Sequence, residues 1–405
     1  MRRLLPDCAR AEVRWLRQAL LTSAHSLGTL GRRLDSSLAA VLGFAGVVLV
    51  MLAVLSIRSG FRATLAATGS PDTAIVLHGG AGTEVNSILG EDLIPVIAQA
   101  PGIARWRGRP LISAQLLTQI SLTKRSTGTM ADVSFRGVTP QALRVDPRLR
   151  IVRGRMFTPG LDEIIVGADA ERDFRGLRVG HVLRAGPYRW RVVGVFDDGG
   201  GLHNSELWTS LPVLEGAYHR GSSFSSLYVR LRSSAAFAPF KRFVTSNPQL
   251  SVSVQRESAY FAAQAHNLAL FINVIGGAIA LLMGGGALFG AVNTMYTAVA
   301  VRTREIATLR ALGFARTAVL SSVLLESAAL AVLGGACGAA LAYALFNGFR
   351  AMTYNQYSVI AFRFAVTPHL MAIGIEYALA LGLAGGVLPA VRAARLPIAT
   401  ALRPE

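Results

Sequence analysis

The most constraining feature of this sequence is the run at residues 38–57, twenty consecutive positions without a charge. At 1.5 Å per residue such a run is about 30 Å long as a helix, the thickness of a bilayer's hydrocarbon core. Inside lipid the backbone must satisfy its own hydrogen bonds, which a helix does within one segment. Three further apolar runs occupy residues 268–301, 319–346 and 369–391. With 52% hydrophobic and only 16% charged residues, the chain is too apolar for an ordinary soluble protein and too interrupted for a wholly embedded one.

Charge orients these runs. Net charge is +18, carried almost entirely by arginine, since Lys124 and Lys241 are the only lysines. Arg2, Arg3, Arg10, Arg14, Arg17, Arg32 and Arg33 precede the first run, Arg302, Arg304, Arg310 and Arg316 follow the second, and Arg392, Arg395 and Arg403 follow the fourth. Positive flanks stay inside, so both termini of this multi-pass chain are expected in the cytoplasm. The arginines are spread along the chain, which argues against nucleic acid as a partner. The expected divisions are a basic amphipathic segment at 1–36, a first span at 37–58, an extracytoplasmic domain at 59–266 and a second span at 267–301. A cytoplasmic helix at 302–316, a third span at 317–347, an extracytoplasmic loop at 348–367, a fourth span at 368–391 and a tail at 392–405 follow. Segment 1–36 reads either as an interfacial helix on the lipid surface or as one packed on the protein.

Residues 59–266 mix short strand-like runs with turn residues, as an α+β domain would. Residues 226–232 and 250–254 alternate as half-buried strands do. Residues 163–167 and 189–196 read as further strands, residues 91–100 as a short helix, and Gly79 to Gly82 as a turn. The fold class expected is an α-helical membrane protein with four transmembrane helices and an α+β extracytoplasmic domain between helices 1 and 2.

The stretch between the second and third runs is polar and helical. Ile306, Leu309 and Leu312 form a narrow apolar stripe, with Arg302 and Glu305 set on it and Arg304 and Thr308 turned away. Such a seam suits docking to a protein better than insertion into lipid. Gly313 lets the chain leave the helix. The motif Arg302, Arg304, Glu305, Ile306, Leu309, Arg310, Ala311, Leu312, Gly313 resembles the coupling region of MacB/FtsX-type ABC transporter permeases. The resemblance implies that Arg302, Arg304, Glu305, Ile306, Leu309, Arg310, Leu312 and Gly313 seat in a groove of an ATPase subunit. It also implies a two-lobed extracytoplasmic domain, the first lobe from about 70–130 and 222–260, the second from about 131–221.

No sequence signature of catalysis is present. There is no phosphate-cradling G-x-x-x-x-G-K-[ST], no H-E-x-x-H, and no G-x-S-x-G; the seven histidines are scattered. The two cysteines, Cys8 and Cys337, fall in different environments. The expectation is a non-catalytic chain that binds no cofactor or metal; the resemblance implies that a separate ATPase subunit holds ATP and Mg and that the chain lies in a bacterial inner membrane. Gly286 with Gly290, Gly334 with Gly338, and Gly382 with Gly386 each make a G-x-x-x-G pair, read as helix packing. Glu326 and Glu376 are carboxylates within apolar runs. A charge there is costly and needs a partner, a proton or a wet interior. For Glu376 a structural or dimer contact is weighed against a proton relay.

The resemblance implies a homodimer in the lipid bilayer joined by two ATPase subunits, with a periplasmic adaptor and an outer-membrane channel as further partners. ATP-driven closure of the ATPases would drive export or extraction of a lipid, lipoprotein, peptide or amphipathic drug. The alternative is mechanotransmission that controls a cell-wall hydrolase or sensor without transport.

Overall fold

The computed structural model describes residues 34–185, 188–355 and 358–397. The N-terminal amphipathic segment therefore lies outside the described residues except for its last three positions, as does the end of the tail. The chain divides into two compact units, one of residues 60–269 and 350–363, the other of residues 1–59, 270–349 and 364–405.

The chain enters as helix α1 (Leu34–Thr68). Strands β1 (Thr73–His78), β2 (Leu89–Gly90), β3 (Arg105–Trp106), β4 (Arg109–Pro110), β5 (Ile112–Thr123) and β6 (Met130–Val138) follow, with helix α2 (Leu93–Ile97) after β2. Next come α3 (Ala142–Val145), β7 (Arg150–Gly154), β8 (Glu163–Gly167), α4 (Ala168–Asp173), β9 (Val182–Ala185) and β10 (Tyr188–Asp197). A 3-10 turn (Leu202–Ser205), β11 (Leu207–Ser210), α5 (Leu211–Ala217), β12 (Ser223–Phe224), β13 (Ser226–Arg230), α6 (Phe237–Ser246) and β14 (Val252–Arg256) complete the insertion. One ten-stranded sheet runs β14-β1-β13-β5-β6-β11-β8-β10-β7, with β9 also on β10. The strands from 70–130 and 222–260 take one half and those from 130–221 the other. The two halves meet where β5 and β6 pair from Gln115↔Val138 to Thr123↔Met130.

The strand at 226–230 departs from the sequence expectation. Ser226, Leu227, Tyr228 and Val229 are all buried, so its alternation does not mark one wet face. It lies between β1 and β5 and is covered on both sides, which lets small polar residues sit inside when they are hydrogen-bonded. Ser226 does so by donating to Glu84 Oε1. The strand expected at 250–254 starts two residues later, at Val252, and runs to Arg256.

A charged group sits in the middle of this domain. Arg136 on β6 is 1% exposed and uses all five of its N–H donors. They reach Glu206 Oε2 and Oε1 at 2.8 Å each, Glu84 Oε1 and Oε2 at 2.8 and 3.3 Å, and Gln115 Oε1 at 2.9 Å. Trp208, on the same face of the sheet, donates from Nε1 to Glu206 Oε2 at 2.7 Å, while Phe135, Trp190, Leu207 and Val229 build the apolar core on the opposite face.

Residues 348–367, expected as a polar loop, hold a β-hairpin of β15 (Arg350–Asn355) and β16 (Ser358–Arg363). The hairpin belongs to the sheet unit. Phe362 meets Phe61 edge to face at 5.8 Å, and Arg350 Nη1 donates to Asp169 Oδ1 at 2.9 Å. Each strand is too short to stand out from a loop in sequence; packing on the domain stabilises the pair.

The other unit is a helix bundle. Helices α7 (Glu257–Val301), α8 (Thr303–Ala311), α9 (Arg316–Phe346) and α10 (Pro368–Arg395) follow the sheet domain, and α1, α7, α9 and α10 hold the four candidate membrane spans of the described residues. Both α1 and α7 exceed the apolar runs seen in sequence, since hydropathy registers only the lipid-suited part of a longer helix. Thr367 caps α10 by accepting a hydrogen bond from the Leu370 amide.

Small residues bring three of these helices together. A Cβ at Gly334 would stand 2.7 Å from Phe44 Cβ, one at Gly338 would stand 2.5 Å from the Ala45 carbonyl, and one at Gly386 2.9 Å from Ser327 Cβ. Gly382 lies against Ala331, and Ser327 Oγ donates to the Gly382 carbonyl at 2.6 Å. Without a hydrophobic drive between helices in lipid, such close approach supplies the van der Waals contact that holds a bundle. Gly286 and Gly290 behave otherwise. A Cβ at either would meet nothing within 4 Å, so among the described residues this pair packs against no neighbour. On the same helix Gly284 lies against Tyr377, whose hydroxyl donates to the Ala280 carbonyl at 2.8 Å.

Candidate functional site

The break between α7 and α8 is one residue long. Arg302 takes a non-helical conformation (φ −98°, ψ 9°), and its carbonyl accepts the first bond of α8 from the Ile306 amide at 2.9 Å. At the other end, Gly313 adopts φ 93°, which a side chain would strain. The Phe314 amide then reaches the Leu309 carbonyl and the Gly313 amide the Arg310 carbonyl, both at 3.1 Å. That pair of bonds is a Schellman motif, which ends the helix and turns the chain into α9.

Between the end of α7, helix α8 and the start of α9 lies a cavity of about 540 Å³. Met295, Leu309, Phe314 and Val323 give it apolar walls, and Arg302, Glu305 and Glu326 a charged edge. Arg302 joins the two carboxylates, donating from Nε to Glu305 Oε2 at 3.0 Å and from Nη1 to Glu326 Oε2 at 2.9 Å. Glu326 is therefore the ion-pair partner of Arg302, which answers the question its place in an apolar run posed. The pair links the residue before α8 to the third turn of α9.

The sequence-predicted residues do not share one face. Ile306, with Ala307, is buried against Val299, Val319, Val323 and Ala390. Arg302 is also buried. Arg310 turns inward and donates from Nη1 to the Ala394 carbonyl, one of the last-turn carbonyls of α10, at 2.6 Å. Arg304, Glu305, Leu312 and Gly313 are exposed, with Leu312 at 73%, and Leu309 is half-buried at the cavity wall. The apolar stripe thus divides: Ile306 fastens α8 to the bundle, and Leu309 and Leu312 face the cavity and solvent. Helical spacing alone could not separate them, because both uses need an apolar side chain on the same stripe. Phe314 and Met295 are cavity residues that the sequence reading missed; the Schellman spacing after Leu309 was the available signal for Phe314. Glu376 lies on an exposed face of α10, away from this site, and makes no hydrogen bond among the described residues.

The described residues thus place an α/β domain between the first two of four apolar helices and a short polar helix between the second and third. A family model for the MacB-like periplasmic core domain matches residues 36–246, and one for the FtsX-like permease C-terminal region matches residues 268–398. The chain belongs to the MacB/FtsX-type ABC permease family.

Macrolide export ATP-binding/permease protein MacB 1/2 of Paracoccus denitrificans is 26% identical over 416 residues, covering 96% of this chain. The chain spans 58% of that relative's length. The uncharacterised ABC transporter permease YknZ of Bacillus subtilis is 26% identical over 306 residues, 71% of this chain and 74% of the relative. Among solved structures, the periplasmic region of MacB from Actinobacillus actinomycetemcomitans aligns with 48% of this chain and 92% of its own, at 14% identity and a TM-score of 0.36.

Proposed function

We propose that α8 is the element through which an ABC ATPase drives this permease. The observation that carries the reading is the division of α8 into an anchored face and a free one. Ile306, Arg302 and Arg310 hold the helix to the bundle, which leaves Arg304, Glu305, Leu309 and Leu312 for a partner. A helix fixed on one side and presented on the other transfers force; a loosely attached one would absorb it. The ATPase would sit on the cytoplasmic side with ATP and Mg, as a subunit separate from this chain. Two copies of the permease would pair, each with one ATPase. The long helix α7, with α1, would carry the movement to the extracytoplasmic side. The resulting work is export or extraction of a lipid, lipoprotein, peptide or amphipathic drug, with an adaptor and an outer-membrane channel as partners.

The test is co-purification from mild detergent with an ATPase assay on wild type, Leu309→Asp and Glu305→Arg. The reading expects an ABC ATPase to co-purify with wild type and its stimulation by the permease to fall at least tenfold in Leu309→Asp, with membrane insertion unchanged. Unchanged stimulation in both variants would overturn it. Chains retained beside the ATPase separate export, which needs an adaptor, from control of a hydrolase.

A further inference from the structure

Three side chains distant in sequence meet at the first turn of α7. Asp146 follows α3, His203 lies in the 3-10 turn, and Glu257 is the first residue of α7. Each offers a ligand atom within 4.8 Å of the other two, and their exposures are only 7%, 3% and 1%.

The hydrogen bonds around them fix what the site lacks. Glu206 Oε2 already accepts from Arg136 Nε at 2.8 Å and Trp208 Nε1 at 2.7 Å, so it is an acceptor. His203 Nδ1, 3.1 Å from the same oxygen, must then be the donor. In a neutral imidazole this leaves Nε2 as a bare lone pair. A carboxylate holding the far nitrogen is the arrangement that orients and strengthens a metal-binding histidine. Glu257 Oε2 accepts from the Ser70 amide at 3.1 Å, and Asp146 accepts from the Arg148 amide and guanidinium at 2.8–3.1 Å. With His203 neutral and both carboxylates ionised, each group in the cluster is an acceptor toward the other two. Arg148, a third exposed and 4.0 Å from Glu257, offsets one of the two carboxylate charges, and one negative charge is left.

We propose that Asp146, His203 and Glu257 form a binding site for one first-row divalent metal ion, Zn²⁺ being the best match to a nitrogen and two carboxylate oxygens. Ligand bonds of about 2.0–2.2 Å require donors about 3.3 Å apart, so each donor moves by about 1 Å or less to close the site. Carboxylate oxygens that already accept one hydrogen bond keep a second lone pair for the metal. The bound ion would tie the root of α7 to the 3-10 turn and to the end of α3. This assignment is independent of the coupling role of α8.

The full chain, purified in detergent with any His-tag removed and stripped with EDTA, is titrated with Zn²⁺ and Co²⁺ by calorimetry. Bound metal is counted after gel filtration. About one equivalent per chain is expected, with affinity roughly 100-fold weaker or more in Glu257→Gln and Asp146→Asn. If a variant fails to fold, X-ray absorption of the Zn²⁺-loaded wild type decides: one imidazole nitrogen with oxygen ligands supports the site. An all-oxygen shell, full affinity in the folded variants, or no binding to wild type each overturns it.

Discussion

In the sheet domain, Arg136 is enclosed with Glu84 and Glu206, all three side chains no more than 5% exposed. In the helix bundle, Arg302 bridges Glu326, 9% exposed, and Glu305, 53% exposed. The first guanidinium spends every donor inside one domain. The second joins a fixed carboxylate to one that faces solvent. Their surroundings differ too: Phe135, Trp190 and aliphatic strands pack the sheet domain, while glycine and alanine bring the membrane helices together. Burial of large apolar surface stabilises the domain in water, whereas the bundle relies on close backbone contact. One charged group is closed on itself, and the other reaches from the buried interior of its bundle to the solvent-facing side of α8.

The largest expected effect tests the enclosed charge. Arg136→Met leaves Glu84 and Glu206 buried without their guanidinium and should destabilise the sheet domain by roughly 3–5 kcal/mol, read as a lower melting temperature of the full chain. A loss under about 1 kcal/mol would make this cluster equivalent to a surface pair and break the contrast.

Next comes the bundle. Gly334→Ala should cost about 1–3 kcal/mol by driving α1 from α9, while Gly286→Ala should stay within about 0.5 kcal/mol in the monomer. Denaturation in mixed detergent micelles measures both. Equal effects would mean that small residues do not set the packing.

Two carboxylates of the sheet domain sharpen the picture through pH, with opposite signs. Burial, and then the nearby Glu91, push Glu215 up from 4.5 to about 7. Its contribution is favourable below pH 4.5 and is lost as pH rises through 7, so Glu215→Gln should stabilise at pH 8 by about 1 kcal/mol and less at pH 5. The Arg155 hydrogen bond holds Glu163 down at about 2. Its contribution is present above pH 4.5 and is lost as pH falls toward 2. Glu163→Gln should therefore flatten the acid side of the stability profile, the smallest effect because Arg155 is solvent-exposed. Melting curves of full chain and variants across pH 3–8 check both signs.

Much of this architecture was legible because it depends on local pattern. Uncharged runs announced the spans, and residues 163–167 and 189–196 carried their strands in plain apolar stretches. The short motif after residue 301 announced α8. What stayed hidden depends on distance along the chain. Arg136 meets Glu84 and Glu206 at separations of 52 and 70 residues, and no periodicity encodes that pairing. The meeting of Asp146, His203 and Glu257 is hidden for the same reason. The inward turn of Ile306 and Arg310 was hidden because one helical stripe serves either as anchor or as docking face, and the neighbouring helices decide which.

Photocrosslinking from α8 tests the central claim most directly. A photoreactive residue is placed at Leu312, at Arg304 or at Ile306 in cells that carry the complete system. The account predicts crosslinks from positions 312 and 304 to an ABC ATPase and none from position 306, which faces the bundle. Crosslinks from 306 as strong as those from 312, or no ATPase adduct from any of the three, would contradict it.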